Sequence, residues 1–166
     1  MTYKDAWTSL CPWNSMAPDL QPEGFTDDRK EGKTTFVGTH EEIVEKYLTL
    51  LDYAQDDFMG LTYDDGNKAF ANGDSVMIIN GNWAINQYKS ANADLNVNMF
   101  ALPASNDESK NYVTSGVDVL LGVCKDSANE DMAKEFVSFM MEPENAQTYI
   151  DDQFAFSAIK RCRAEQ

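Results

Sequence analysis

The sequence predicts an α/β fold, and three observations lead to it. Two short apolar runs, residues 75–79 and 117–124, have the length and composition of strands. Around them lie segments whose apolar residues recur at helical spacing. Turn signals keep the two kinds apart: Asn72-Gly73-Asp74 and Asn80-Gly81-Asn82 bracket the first run, and Lys125-Asp126-Ser127 closes the second. Alternation of helices and short strands is the pattern of the α/β class.

Residues 1–38 read as turn-rich, with Pro12, Pro18, Pro22, Gly24, Gly32 and Gly38 spread through them. Within this stretch Trp7, Leu10 and Trp13 share one helical face and predict a short opening helix. Residues 27–33 are charged and predict an exposed connector. Thr39-His40-Glu41-Glu42 fits a capping box. Ile43, Tyr47, Leu48 and Leu51 then form one apolar face that runs to about Tyr53. Asp64 to Ala71 predicts a short helix, with Gly73 as its left-handed terminator.

The strand expected at 75–79 stops at Asn80-Gly81-Asn82. Trp83, Ala84, Ile85 and Tyr88 follow at helical spacing, so the helix after this corner begins with a tryptophan. Val97 to Phe100 alternates, and Ser105 to Asn111 is a polar loop. Val117 to Cys124 is the most strand-like run of the chain. Ser127-Ala128-Asn129-Glu130 predicts a second capping box. Behind it, Met132, Ala133, Phe136, Val137, Phe139 and Met140 predict a broad buried stripe. Pro143 suits the first turn of a last helix, whose buried face would be Ala146, Tyr149 and Ile150.

Composition narrows the function classes. At 166 residues the chain has the length of one domain, and 43% hydrophobic content is enough for a packed core. A formal net charge of −15 argues against nucleic acid and against an anionic membrane surface as direct partners. No apolar run approaches the roughly 18 residues that a membrane helix needs, so direct membrane insertion of this segment is not expected. Cys11, Cys124 and Cys162 are far apart and form no CxxC, which predicts isolated thiols, not a zinc site or a redox pair. No signal peptide opens the chain, and its first residues read as if they stood inside an ordered segment.

Catalytic patterns are sparse. The single histidine, His40, falls in the first turn of an expected helix and reads as a surface residue. Without a second histidine, a serine or cysteine nucleophile lacks its usual base. Phosphate-cradling glycine motifs are absent. The acidic doublets 27–28, 56–57, 64–65 and 151–152 do not have the spacing of a calcium loop and read as solvated charge. Neither cofactor nor metal is expected, and no enzymatic activity. A carboxylate pair for glycoside chemistry stays open as an alternative, because such pairs are spatial and not sequential.

Two residues stand out. Asp118 lies in or at the mouth of an apolar run, where a carboxylate is either a satisfied core group or an acceptor for ligand hydroxyls. Gly116, just before it, allows close backbone approach. Trp83 sits where a strand should end and a helix begin, the edge at which ligands bind in α/β folds. It reads either as core or as a stacking plate. Sugars present flat C–H faces fringed by hydroxyls, and they suit aromatic plates beside Asp, Asn and backbone groups. Trp83, Asn82, Trp7, Asp5 and Asp118 supply those types.

At these residues the chain resembles the extracellular solute-binding proteins of sugar ABC transporters, the maltodextrin-binding group in the broad sense. Phe70 to Ile85 is similar to that family's F-x-x-G-x-x-A-M-x-x-x-G-x-W segment, with Val76 in place of Ala. Leu102-Pro103, Ser115-Gly116-Val117-Asp118, the A-x-x-F-x-x-F helix within 127–141 and the segment 143–147 follow in the family's order. Phe156-Ser157-Ala158-Ile159-Lys160 is similar to its P-A-x-K ending, with Ser157 in the proline's place.

The resemblance covers roughly residues 64–160. It implies a periplasmic-binding-protein-like (type II) α/β lobe from a two-lobe protein. Residues 1–115 would be most of the C-terminal lobe, and 116–166 the return segment that completes the N-terminal lobe. The implied ligand-binding residues are Trp83 as stacking aromatic, Asn82, Gly116 and Asp118 as polar or close-approach contacts, and Trp7 as a second cleft aromatic. The implied partners are a sugar or oligosaccharide and ABC permease subunits. The implied location is extracellular, anchored to the cell surface as a lipoprotein or periplasmic. A solute-binding protein for a peptide or polyamine is the remaining alternative.

Overall fold

Helices dominate the computed structural model, which describes residues 1–160 and 162. In chain order they are α1 (Leu10–Leu20), α2 (Phe25–Lys30), α3 (Glu41–Leu51), α4 (Tyr63–Asn72), α5 (Ile85–Ala91), α6 (Glu130–Met140) and α7 (Pro143–Gln153), with single 3-10 turns at Ala6–Ser9, Asn82–Ala84 and Glu108–Lys110. The backbone divides into two units. The first comprises Met1–Gly81 and Gln87–Ser115; the second comprises Asn82–Asn86 and the chain from Gly116 onward.

The first unit owes its core to α1 and α3. Met16 and Ala17 on α1 meet Ile43 on α3 and Ala104 from the loop region, and Trp13, Leu20, Tyr47, Leu50 and Leu102 complete the cluster. Ile43 is 1% exposed. Burying such a side chain stabilises by roughly 1.5–3 kcal/mol. Tyr47 ties the pair further, its hydroxyl donating to the Ser9 carbonyl at 2.9 Å. Helix α1 ends at Gln21, in extended backbone before Pro22, where the proline ring disfavours a helical predecessor.

Helix α4 is closed at both ends by local chemistry. Thr62 and Asp65 form a reciprocal capping box, each backbone N–H donating to the other's side chain at 3.1 Å. Gly73 terminates the helix at φ +85°. Gly66 is needed for a different reason: a Cβ there would stand 2.1 Å from Thr2 Cγ2, so only glycine lets the N-terminal segment lie against α4. That segment is held by backbone bonds, Tyr3 N–H to Phe58 O at 2.7 Å and Lys4 N–H to Leu61 O at 3.2 Å.

The second unit is smaller. Ala146 and Ile150 on α7 pack with Cys162, flanked by Ala155 and Ile159. Pro143 occupies the first turn of α7, as its missing N–H permits. The Cys162 thiol donates to the Pro143 carbonyl at 3.3 Å. All three cysteines are free.

Several expectations are corrected. No strand forms among the described residues: 75–81 and 117–124 have no regular structure. Val76 is 92% exposed, and Val117, Leu120 and Met77 are exposed with it. Strand composition becomes a strand only when another backbone supplies the ladder, and none does so here. The stripe on α6 is amphipathic as expected but not buried, because no element covers Met132, Phe136 or Phe139. Tyr149 is likewise partly exposed on α7.

The two capping boxes expected from sequence do not form either. Helix α3 starts at Glu41, and the Thr39 hydroxyl donates back to the Thr35 and Phe36 carbonyls at 2.8 and 3.1 Å. Helix α6 starts at Glu130 with Asn129 as its uncapped N-cap. The charged connector contains the short helix α2, begun by Gly24 at φ +75°. His40 is not a surface residue: it is 3% exposed, with rings of Phe25, Phe36 and Trp13 at 4.3, 4.9 and 5.9 Å.

Candidate ligand-binding site

An amide network in the first unit centres on the buried Asn67. Asn67 is held inside by its place on α4. Its Oδ1 accepts from Asn80 Nδ2 at 3.1 Å, and its own amide donates to Gln87 Oε1. Asn80 Nδ2 also donates to the Tyr88 hydroxyl at 3.1 Å, while Asn80 Oδ1 accepts from the Gly81 N–H at 2.9 Å. The network therefore grips residues 80–81 and 87–88, the two flanks of the segment 82–86. Burial pushes the Tyr88 phenol up to about 12, against the weaker opposing effect of the Asn80 bond. Phe70 packs edge-on to Tyr88 at 4.8 Å.

Between those flanks, the 3-10 turn Asn82–Ala84 buries Ala84 completely and leaves Trp83 43% exposed. A large indole so open, on a turn whose next residue is sealed, is available to a ligand on a firm base. Asn82 and Asn86, one helical turn apart, both reach the end of α7. Asn82 Nδ2 donates to the Phe154 carbonyl and Asn86 Nδ2 to the Asp152 carbonyl, each at 2.5 Å. These carbonyls belong to the last turn of a helix, which has no intrahelical donors for them. The Asn82 Nδ2 is thus engaged within the protein.

The remaining sequence-predicted residues are placed as follows. Trp7 lies in the 3-10 turn Ala6–Ser9 of the first unit, half-exposed, its ring 4.9 Å from that of Tyr63 at 53°. Asp5 supports it: its Oδ2 accepts the Tyr63 N–H at 2.7 Å. Asp5 is therefore a structural acceptor and not a free one. Gly116 and Asp118 lie in the irregular run of the second unit and are exposed. The reading of Asp118 as a satisfied core carboxylate is corrected, since the run that holds it is not buried. A Cβ on Gly116 would meet nothing within 4 Å, so no contact inside this chain requires glycine there.

Two features escaped the sequence reading. One is Phe154, which ends α7 at φ +51°, ψ +34°, a left-handed conformation that few non-glycine residues adopt. Its tie to Asn82 spans 72 positions, so no local pattern announces it; the asparagine pair at 82 and 86 is the faint signal. The other is an open apolar hollow of about 540 Å³ in the first unit, walled by Trp13, Phe36, Val37, His40 and Val44 and rimmed by Glu41 and Glu45. None of the sequence-predicted site residues lines it.

The whole chain, residues 1–166, matches the family described as bacterial extracellular solute-binding protein. The chain belongs to that family. The chain is also similar to a multiple sugar-binding protein of Streptococcus mutans serotype c, 26% identical over 137 residues. The match takes in 78% of the chain and 32% of the relative, so the chain spans about a third of the length of the curated relative it matches. The family is one of binding proteins, and its members act outside the cytoplasm. Among the described residues, no helix is long and apolar enough to cross a membrane.

Proposed function

We propose that this solute-binding chain is part of the carbohydrate-binding subunit of an ABC importer. In this reading it captures a sugar or oligosaccharide in a cleft between two lobes and delivers it to permease subunits. The observation that carries it is Trp83, an open indole between the buried Ala84 and Asn82, whose side-chain amide is hydrogen-bonded to the Phe154 carbonyl. A flat apolar plate beside amide groups suits the C–H face and hydroxyl fringe of a pyranose. The name of the Streptococcus mutans relative supports the same ligand class. No bond is made or broken; hinge closure around the ligand creates the form that a permease would read.

The domain reading follows from this proposal. Residues 1–115 would be most of the C-terminal lobe, and the segment from Gly116 would return to complete the other lobe. The division of the backbone between Ser115 and Gly116 supports that boundary. The exposed apolar runs at 75–79 and 117–124 would become strands of an α/β, periplasmic-binding-protein-like fold once partner strands cover them. Asn82, Gly116, Asp118 and Trp7 would join Trp83 in lining the cleft, and the protein would be held at the cell surface or in the periplasm.

Calorimetric titration of the full-length protein against a panel of mono- and oligosaccharides tests this. Micromolar or tighter binding of at least one sugar is expected, weakened about tenfold or more in Trp83→Ala, as loss of a stacking plate predicts. Silence across the panel would overturn the sugar reading and favour a peptide or polyamine. Unchanged affinity in Trp83→Ala would remove Trp83 from the site.

A further inference from the structure

We propose that the hollow walled by Trp13, Phe36 and His40 in the first unit binds a small primary-amine cation with an apolar body. Its residues are not those of the Trp83 corner. The inference therefore does not depend on the sugar reading, and it gives the protein a second ligand.

His40 decides what polar group the ligand must bring. It is 3% exposed and lines the hollow. Its Nδ1 lies 2.8 Å from the Thr39 hydroxyl oxygen. That hydroxyl also stands 2.8 Å from the Thr35 carbonyl and 3.1 Å from the Phe36 carbonyl, and carbonyls only accept. The one hydroxyl proton is thus committed to a carbonyl, so Nδ1 donates its own proton to the Thr39 oxygen. In that tautomer of the neutral ring, Nε2 carries the lone pair. Nε2 has no hydrogen-bond partner among the described residues. An acceptor left without a donor inside a protein is costly, so a ligand that brings one into the hollow is favoured.

Walls and rim require that donor to be positive. Trp13 and Phe36 present aromatic rings, whose faces attract cations. The chain's own Arg29 already places its guanidinium 5.8 Å from the centre of the Phe36 ring. Glu41 and Glu45 stand at the rim. One Glu41 oxygen accepts the Gly38 N–H, and this bond holds the carboxyl below its usual range, so it is charged at neutral pH. Glu42 is paired with Lys46 at 2.8 Å, whereas the Glu45 carboxylate has neither an ion pair nor a hydrogen bond among the described residues. The imidazole nitrogen and both carboxylates are acceptors, which the three N–H groups of an ammonium match. Val37 and Val44 supply apolar contact for the rest of the ligand. A volume of about 540 Å³ suits a small molecule.

The experiment is titration of the full-length protein with phenethylammonium chloride and with 2-phenylethanol, a neutral molecule of the same shape. Phenethylammonium should bind with a Kd of about 1 mM or tighter, the range open to so small a ligand. The alcohol should bind about tenfold more weakly, since it lacks the charge. Glu45→Gln, an exposed substitution, should weaken the amine about threefold and leave any sugar affinity within about twofold. Nitrogen NMR of the histidine-labelled protein reads the floor of the site directly: on amine binding the Nε2 resonance of His40 should move, as it gains a donor, and that of Nδ1 should stay. Absence of amine binding, equal binding of the alcohol, unchanged amine affinity in Glu45→Gln, or an unmoved Nε2 resonance would each overturn the proposal. None of these results bears on whether the protein binds a sugar at Trp83, which the sugar titration decides separately.

Discussion

The two units bury their apolar residues by different means. In the first, α1 and α3 face each other and enclose Met16, Ala17, Ile43 and Ala104 within a second ring of aromatic and leucine side chains. In the second, α6 and α7 enclose little: Ala146, Ile150 and Cys162 are buried, while Met132, Phe136 and Phe139 are half-exposed or more. Both units have amphipathic helices. What separates them is whether a partner surface exists for the apolar face. The lesson is that an amphipathic pattern states a need for burial and not its fulfilment.

Substitution at equivalent isoleucines would test that contrast most strongly. Ile43→Ala should cost about 3–5 kcal/mol, as expected where a rigid, well-surrounded cavity cannot collapse. Ile150→Ala should cost nearer 2 kcal/mol, because its small surroundings relax more easily. Amide hydrogen exchange, which reports each region separately, is the suitable measurement. Equal costs would mean that the second unit is packed as firmly as the first.

Alkaline pH should loosen the first unit selectively. Burial holds the Tyr88 phenol at about 12 when folded, against about 10 in the unfolded chain. The folded state thus keeps its proton longer. The associated stability is complete below pH 10 and is lost as pH rises from 10 through 12, by on the order of 2 kcal/mol. Burial also raises the Tyr3 phenol, so Tyr88→Phe should reduce the alkaline loss without abolishing it. Denaturant unfolding followed across pH 9–12 would read both slopes.

The amide network gives a smaller effect. Asn67→Ala removes the acceptor for Asn80 and the donor for Gln87, and should cost about 1–2 kcal/mol through the polar groups left behind. The smallest effect is expected on the open face of α6. Phe136→Ser should change the stability of this chain by less than about 1 kcal/mol, since the ring is more than half exposed and its one ring contact is the neighbouring Phe139. A loss of several kcal/mol in the full-length protein, against almost none in the chain alone, would show that another part of the protein covers that face.

Much of the helical layout was legible because it is set locally. Gly73 as a left-handed terminator and Pro143 at the start of α7 depend on nearby residues and were read correctly, whereas the expected apolar faces held only in part: Trp13, Ile43 and Tyr47 reach the core, while Trp7, Leu10 and Leu48 stay open. The capping boxes at 39–42 and 127–130 misled, because a box needs backbone geometry as well as residue types. Thr39 prefers the turn behind it, while the unremarked pair Thr62 and Asp65 forms the box that exists. His40 misled for another reason: Phe25, Phe36 and Trp13 come from other elements, and their convergence has no linear signature.

The sequence alone determined the end of α4 at Gly73, the start of α7 at Pro143, and the place of Trp83 at the head of a helix. These are short-range matters of spacing, capping and φ preference. Tertiary structure alone decided that Trp83 is open while Ala84 is sealed, that the Asn82 amide is engaged by Phe154, and that the strand-like runs have no ladder. Each of these depends on groups far apart along the chain, because burial and pairing belong to two surfaces and neither surface encodes the other.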